Sequence, residues 1–271
     1  MDLIQAIAYG IVQGVTEFLP ISSTAHLILL PWFMGWPPQS LEFDVALHLG
    51  TLAALLIYFR REWVDLTVGG LNLLRGRTAD PNARMALFIV LATIPAALAG
   101  LLLEDFVEST LRSPLIIAGA LIVLGLVLWV AEIRSRRVTD LTQISLADAM
   151  TIGFAQSLAV LIPGTSRSGV TITAGLFRGL KRDAASRFSF LLSAPIIAGA
   201  VAKEMFDILR HGIPADDVWP LVAGILTAGI VGYISIAFLL KYLATHSTFV
   251  FIYYRIALGL IVLIAIFWGF R

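Results

Sequence analysis

The sequence has no cysteine and only 14% charged residues, where a soluble domain carries about 25%. The missing thiols exclude disulfides and thiolate metal sites and leave the redox compartment open. The scarcity of charge, with 59% hydrophobic residues and a mean hydropathy of +0.91, excludes an ordinary soluble domain and implies a polytopic membrane protein. Net charge is +1, so charge gives no case for a nucleic-acid partner. The opening Met1-Asp2-Leu3-Ile4-Gln5 has no basic stretch and no small-residue cleavage site, and is read as mature sequence. No low-complexity stretch or soluble module interrupts the chain, so 1–271 is expected to be one membrane domain.

What is present is apolar sequence in ten segments: 3–19, 25–37, 41–59, 85–103, 114–131, 146–162, 169–180, 188–202, 218–240 and 249–270. They form two sets of five, and the second member of each is short. A helix as short as 25–37 or 169–180 spans roughly 20 Å, against a hydrocarbon core of about 30 Å. The first two segments of each set are therefore expected to form a re-entrant hairpin with a non-helical tip, which is tolerated in a membrane only inside protein or against a wet cavity. The fold class expected is an all-α polytopic membrane protein of two repeats, 1–135 and 145–271, each a re-entrant hairpin plus three transmembrane helices. Three spans is an odd number, so the second repeat should be inverted relative to the first, with the tips meeting near the midplane. The stretches 60–84, 132–145, 178–187 and 241–248 hold 13 of the 19 Lys and Arg. They are read as cytoplasmic loops, which puts both termini outside, with Arg112, Lys203, Arg210 and Arg271 on the outer face. The cluster Arg178, Lys181, Arg182 and Arg187 is most simply an orientation signal.

A motif repeats at the two tips. Gly10, Gln13, Pro20 and Ser23 pair with Gly153, Gln156, Pro163 and Ser166, all at an offset of 143. The copies differ in charge: Glu17 and His26 stand only in the first, Arg167 only in the second. Gln13 and Glu17 share a helix face at i and i+4. A carboxylate at this depth is costly and points to function, and paired oxygen ligands suit a divalent cation, Mg²⁺ or Ca²⁺. Ser22, Ser23 and Thr24, like Thr165, Ser166 and Ser168, stand just before a helix. Each can act as an N-cap, and the same helix ends offer N–H groups to a phosphate. His26, a few residues from Glu17, suits acid–base or nucleophilic work. Arg167 lies among small residues and offers a planar fork for bidentate phosphate contact. Asp44, His48 and Arg255 are read as structural. A secondary transporter uses the same broken-helix plan, but moving an anion requires no acid–base pair such as Glu17 and His26. A vanadium-haloperoxidase-like phosphatase is disfavoured because its Lys-x6-Arg-Pro and Ser-Arg-x5-His elements are missing.

The Gln13-to-Glu17 element, the run Pro20-Ile21-Ser22-Ser23-Thr24-Ala25-His26 and the run Pro163-Gly164-Thr165-Ser166-Arg167-Ser168-Gly169 resemble the signature of the undecaprenyl-diphosphate phosphatases, the bacitracin-resistance family. The resemblance covers nearly the whole chain. It implies a multi-pass enzyme of the bacterial inner membrane. Such an enzyme removes the terminal phosphate of a C55 polyprenyl diphosphate and regenerates the monophosphate carrier for peptidoglycan and other envelope glycans. The expected partners are that lipid and the bilayer, with a homodimer also allowed. By the same resemblance Gln13 and Glu17 match the family's Glu/Gln-x-x-x-Glu element, Ser22, Ser23 and His26 its first catalytic loop, and Ser166, Arg167 and Ser168 its second. Joined to the residue reading, Glu17, Ser23, His26 and Arg167 are expected to be catalytic, Ser22, Thr24, Thr165, Ser166 and Ser168 to bind substrate, and Gln13 and Glu17 to hold the metal. Two departures are Ala25, where many members have Gly, and Gln13 in place of Glu. Ser23 is the preferred nucleophile with His26 as its base; the alternatives are attack by His26 itself or by water that His26 activates.

Overall fold

The computed structural model describes residues 1–76, 80–110, 113–211 and 215–270. Arg77, Arg112 and Arg271, counted in the charge pattern, lie outside them. Among the described residues there are eleven α-helices, one short 3₁₀ turn and no strand: α1 (Leu3–Phe18), α2 (Ser23–Met34), α3 (Leu41–Tyr58), α4 (Arg60–Leu74), α5 (Pro81–Thr110), α6 (Pro114–Arg134), α7 (Leu146–Leu161), α8 (Arg167–Phe177), α9 (Arg182–His211), α10 (Ala215–Leu243) and α11 (Phe249–Phe267). Five of these, α5, α6, α9, α10 and α11, are long and apolar enough to cross a membrane; α3 with α4 makes a sixth if the bent pair counts as one span.

The two short helices turn back along their predecessors. Trp36, just past α2, packs edge-on against Tyr9 of α1 with ring centroids 5.9 Å apart. Arg178, just past α8, donates to Asp148 at the start of α7 at 2.6 Å. At 12 and 11 residues, α2 and α8 reach about 18 Å or less, too short to cross the hydrocarbon core.

Small residues set the helix crossings. A methyl group on Gly10 would meet the Gly224 carbonyl of α10 at 2.6 Å, and one on Gly153 would strike the Ala92 carbonyl of α5. The two hairpin arms thus pack in equivalent ways, α1 on α10 and α7 on α5, by the close backbone approach that stabilises helix pairs in lipid.

Four polar connections gather at one end of the molecule. Glu132, almost fully buried, accepts from Arg182, from Arg137 at 3.2 Å and from the Thr248 hydroxyl at 2.8 Å. Lys181 pairs with Asp140 at 2.7 Å, and Arg187 with Glu62 at 3.3 Å. Elsewhere the terminal amino group of Met1 pairs with Asp217 at the start of α10, at 3.5 Å.

One expectation needs correction. The stretch 60–84, read as a loop, carries α4, bent 80° from α3. Its apolar residues Val64, Leu66, Val68, Leu71 and Leu74 recur every two or three places, after Arg60, Arg61 and Glu62 and around Asp65. They form an amphipathic helix without any apolar run.

Candidate active site

Both tips are built the same way. After α1 the chain leaves the helix at Leu19 and passes Pro20. It then reaches Ser22, whose φ of 79° is left-handed and whose hydroxyl accepts the Ala25 N–H at 3.3 Å. After α7 it passes Pro163 and Gly164 to Ser166, with φ of 70°, whose hydroxyl accepts the Gly169 N–H at 3.1 Å. Two serines held at positive φ are uncommon, and such strain concentrates at functional turns. The caps correct the pairing read from the sequence: Ser22, not Ser23, is the counterpart of Ser166. The second tip has one more residue between its proline and its cap, so beyond it Ser23 matches Arg167. Both are the first residue of their helix, and both bind the same carboxylate.

That carboxylate is Glu17, only 6% exposed. One oxygen accepts from the Arg167 guanidinium at 2.6 Å. The other accepts from the Ser23 hydroxyl at 2.7 Å and the Gln13 amide at 3.3 Å. His48 Nε2 stands 3.5 Å from it, and His48 Nδ1 lies 2.8 Å from the Asp44 carbonyl. Since a carbonyl only accepts, Nδ1 carries a proton, so Nε2 is the nitrogen turned to Glu17. Helices α1, α2, α3 and α8 thus converge on one group. Ser168 ties the tips together, donating to the Leu19 carbonyl at 3.0 Å and lying 3.3 Å from the Ser166 hydroxyl.

His26 is directed elsewhere. Its Nδ1 lies 2.7 Å from the Ser22 carbonyl and its Nε2 lies 2.7 Å from the Tyr254 hydroxyl, with the two rings stacked. Both nitrogens are therefore engaged away from Ser23 and Glu17. Thr24 is exposed at the tip, while Thr165 is buried with its hydroxyl unpaired.

Arg255, 1% exposed, is the largest fully buried side chain. Among the described residues it donates to backbone carbonyls only: Pro20 of the first tip at 3.3 Å, Gly164 and Thr165 of the second at 3.4 and 2.9 Å, and Ala120 and Leu121 of α6 at 3.4 Å each. It is a post between the tips, in keeping with its structural reading. Asp44, also buried, accepts from Gln39 at 2.7 Å. His48, read as structural, also stands at Glu17; in the sequence its i, i+4 relation to Asp44 is the signal that singles it out. Tyr254 gave none, because its role follows from a contact 228 positions away.

Gln13 keeps one buried amide oxygen unpaired. Its amide nitrogen, not this oxygen, is the atom bonded to the Glu17 carboxylate. Among the described residues no group of three or more His, Asp or Glu could by itself hold a metal ion.

The fold and this centre define a polytopic helical membrane protein with a buried polar site where two hairpin tips meet. The family model of bacitracin resistance protein BacA matches residues 6–261, and the chain belongs to that family. It is 49% identical to the undecaprenyl-diphosphatase of Pelobacter propionicus over 96% of this chain and 95% of that one. It is 49% identical to that of Geotalea daltonii over 99% and 100%, and 46% identical to that of Geobacter metallireducens over 98% and 99%.

Proposed function

We propose that this chain is an undecaprenyl-diphosphatase. It hydrolyses the terminal phosphoanhydride of the C55 polyprenyl diphosphate, returns the monophosphate carrier to peptidoglycan synthesis and confers bacitracin resistance. Family membership and full-length similarity to curated enzymes of that name support the activity. The observation that carries the mechanism is the hydrogen-bonded chain Arg167–Glu17–Ser23, buried where the tips meet.

Ser23 is the nucleophile in this reading. Its hydroxyl already donates to Glu17, so the carboxylate, rather than His26, is placed to take the proton as Oγ attacks the terminal phosphorus. The bond from that phosphorus to the bridging oxygen breaks, and the polyprenyl monophosphate leaves with the bond's electron pair. Glu17 passes the proton it took from Ser23 to the leaving monophosphate. Water then attacks the phosphoserine as Glu17 accepts its proton, the bond from phosphorus to Ser23 Oγ breaks, and Glu17 returns the proton to Oγ as inorganic phosphate departs. Arg167 holds Glu17 ionised and turns its remaining N–H donors to the transferring phosphoryl oxygens. The first N–H groups of α2 and α8 meet the same charge. Ser22 and Ser166 set the two tips, Ser168 locks them together, and Thr24 and Thr165 would meet the diphosphate. Gln13 and Glu17 would hold a Mg²⁺ or Ca²⁺ ion, which would neutralise charge on the diphosphate oxygens. All these residues come from one chain, so the reading does not require a homodimer.

The protein is a multi-pass membrane protein, and we place it in the bacterial inner membrane with both termini outside. The inverted repeat is supported by the crosswise packing of α1 on α10 and α7 on α5. The two hairpin starts support it too: α7 begins beside Arg178 at the basic end, and α1 begins beside Asp217. The purified protein in detergent, given farnesyl diphosphate, should release inorganic phosphate. Chelation by EDTA should suppress that release, and Ser23→Ala should abolish it. Turnover by Ser23→Ala within tenfold of wild type would refute the nucleophile; full turnover in EDTA would refute the metal.

A further inference from the structure

A cavity of about 500 Å³ lies between α1, α10 and α11, within the range of ordinary ligand pockets. Ile11 and Val15 of α1, Phe238 of α10, and Val250 and Phe251 of α11 form its walls, and Leu19 and Ile21 of the first tip close its inner end. Its floor is dry: Ile21 and Phe251 are 6% and 5% exposed. Its rim is open: Ile11, Phe238 and Val250 are 45%, 51% and 50% exposed. In a membrane protein such a rim opens sideways into lipid rather than into water. Three of the polar side chains at its edge are already occupied. Thr16 donates to the Val12 carbonyl at 2.7 Å, and His26 and Tyr254 bond to each other.

Resting on the phosphatase reading, we infer that this cavity receives the first isoprenoid units of the diphosphate's tail, and that Val15 and Val250 limit the tail that fits. The route does not pass Glu17, which faces away from Val15 across α1 by helical geometry. It runs over α2 instead. Ser23 and His26 stand at i and i+3, about 5–6 Å apart between Cβ atoms, and His26 lines the cavity. A phosphate held at Ser23 thus places its prenyl ester near the His26–Tyr254 pair, and the chain beyond enters apolar space. The rest of a C55 tail leaves through the open rim into the bilayer. Burial of apolar surface then contributes to affinity only for substrates that have the tail.

The test compares farnesyl diphosphate with isopentenyl diphosphate on wild type, Val15→Trp and Val250→Trp. The bulky side chains should raise KM and lower kcat/KM for the C15 substrate by at least about tenfold, and change the C5 substrate less than twofold. Equal losses on both substrates, or none on either, would overturn the inference. A second readout does not depend on the variants folding or on turnover. A benzophenone-bearing farnesyl diphosphate analogue, irradiated with the wild-type protein in detergent, should label α1, α10 or α11 within the cavity wall. Labelling confined to other helices would overturn the inference. If the wild type releases no phosphate from either substrate but labels this wall, the phosphatase reading fails and the tail site stands.

Discussion

Glu17 is engaged on both oxygens before any substrate arrives, because Arg167 lies 2.6 Å from one and Ser23 2.7 Å from the other. This arrangement separates roles that either residue alone would confuse. Glu17→Gln leaves Arg167 buried without its anion, and breaking a buried pair from one side costs about 3–5 kcal/mol. The variant should lose activity and melt earlier in detergent. The double variant Glu17→Gln, Arg167→Gln removes both charges. It should recover much of the melting temperature and none of the activity, and a double-mutant cycle on both quantities measures the difference. Arg167→Lys keeps the charge but not the fork, since an ammonium cannot span a carboxylate and a phosphoryl oxygen in one plane. Phosphate release should fall by about a hundredfold or more with the fold intact; near wild-type turnover would refute the assigned role. Arg255 contrasts with Arg167 because its partners are five carbonyls and no carboxylate. Arg255→Ala strands those acceptors and loosens both tips together, so stability and turnover should fall in parallel.

The elements follow from residue spacing to different degrees. Short apolar stretches after Pro20 and Pro163 gave the hairpins, because a helix of a dozen residues has no other way to sit in a bilayer. Gly10 and Gly153 pair in the duplicated motif, and only the packing shows that they sit at helix crossings. α4 was hidden because a search for apolar runs passes over a helix whose apolar residues are interleaved with Arg60, Arg61, Glu62 and Asp65; only the 3.6-residue period reveals it. Of the site, Glu17, Ser23 and Arg167 were legible as polar groups stranded in apolar sequence. His48 at Glu17 and Tyr254 at His26 depend on how α3 and α11 pack, which no local pattern encodes. The matching of Ser22 with Ser166 was missed because one extra residue in the second tip shifts the register. Packing makes a prediction at this scale. Gly10→Val drives a side chain into the Gly224 carbonyl. It should part α1 from α10 and lower both the melting temperature and turnover, since α1 carries Gln13 and Glu17. Gly70, inside α4, has nothing within 4 Å of an added methyl. Gly70→Ala should leave turnover unchanged and raise stability by up to about 1 kcal/mol. Thermal unfolding of the two variants side by side checks this.

The whole molecule has two distinct ends and an apolar girdle between them. Ion pairs join three of the basic connections at one end and Thr248 of the fourth donates to Glu132, while Met1 and Asp217 meet where α1 and α10 begin. The exposed side chains between include Leu101, Leu102, Ile230 and Phe267, a surface matched to acyl chains rather than water. If the basic end is cytoplasmic, as the positive-inside rule requires, Arg75→Cys at the end of α4 and Arg210→Cys late in α9 face opposite compartments. A membrane-impermeant thiol reagent on intact cells should label only the second, and the first should label only after permeabilisation. The tips provide an independent measurement. Ser168 donates to the Leu19 carbonyl across the two hairpins, and Ser22 stands three residues further along the first tip. Because the chain has no native cysteine, the double variant Ser22→Cys, Ser168→Cys offers a single pair of thiols. A short bifunctional reagent should join them, and protease digestion between the halves should then leave one covalently linked species. Labelling can fail while crosslinking succeeds, which would reverse the orientation and leave the site intact. Should the thiols stay beyond reach in a folded, active protein, Arg167 and Glu17 do not share a phosphate, and the composite mechanism is wrong.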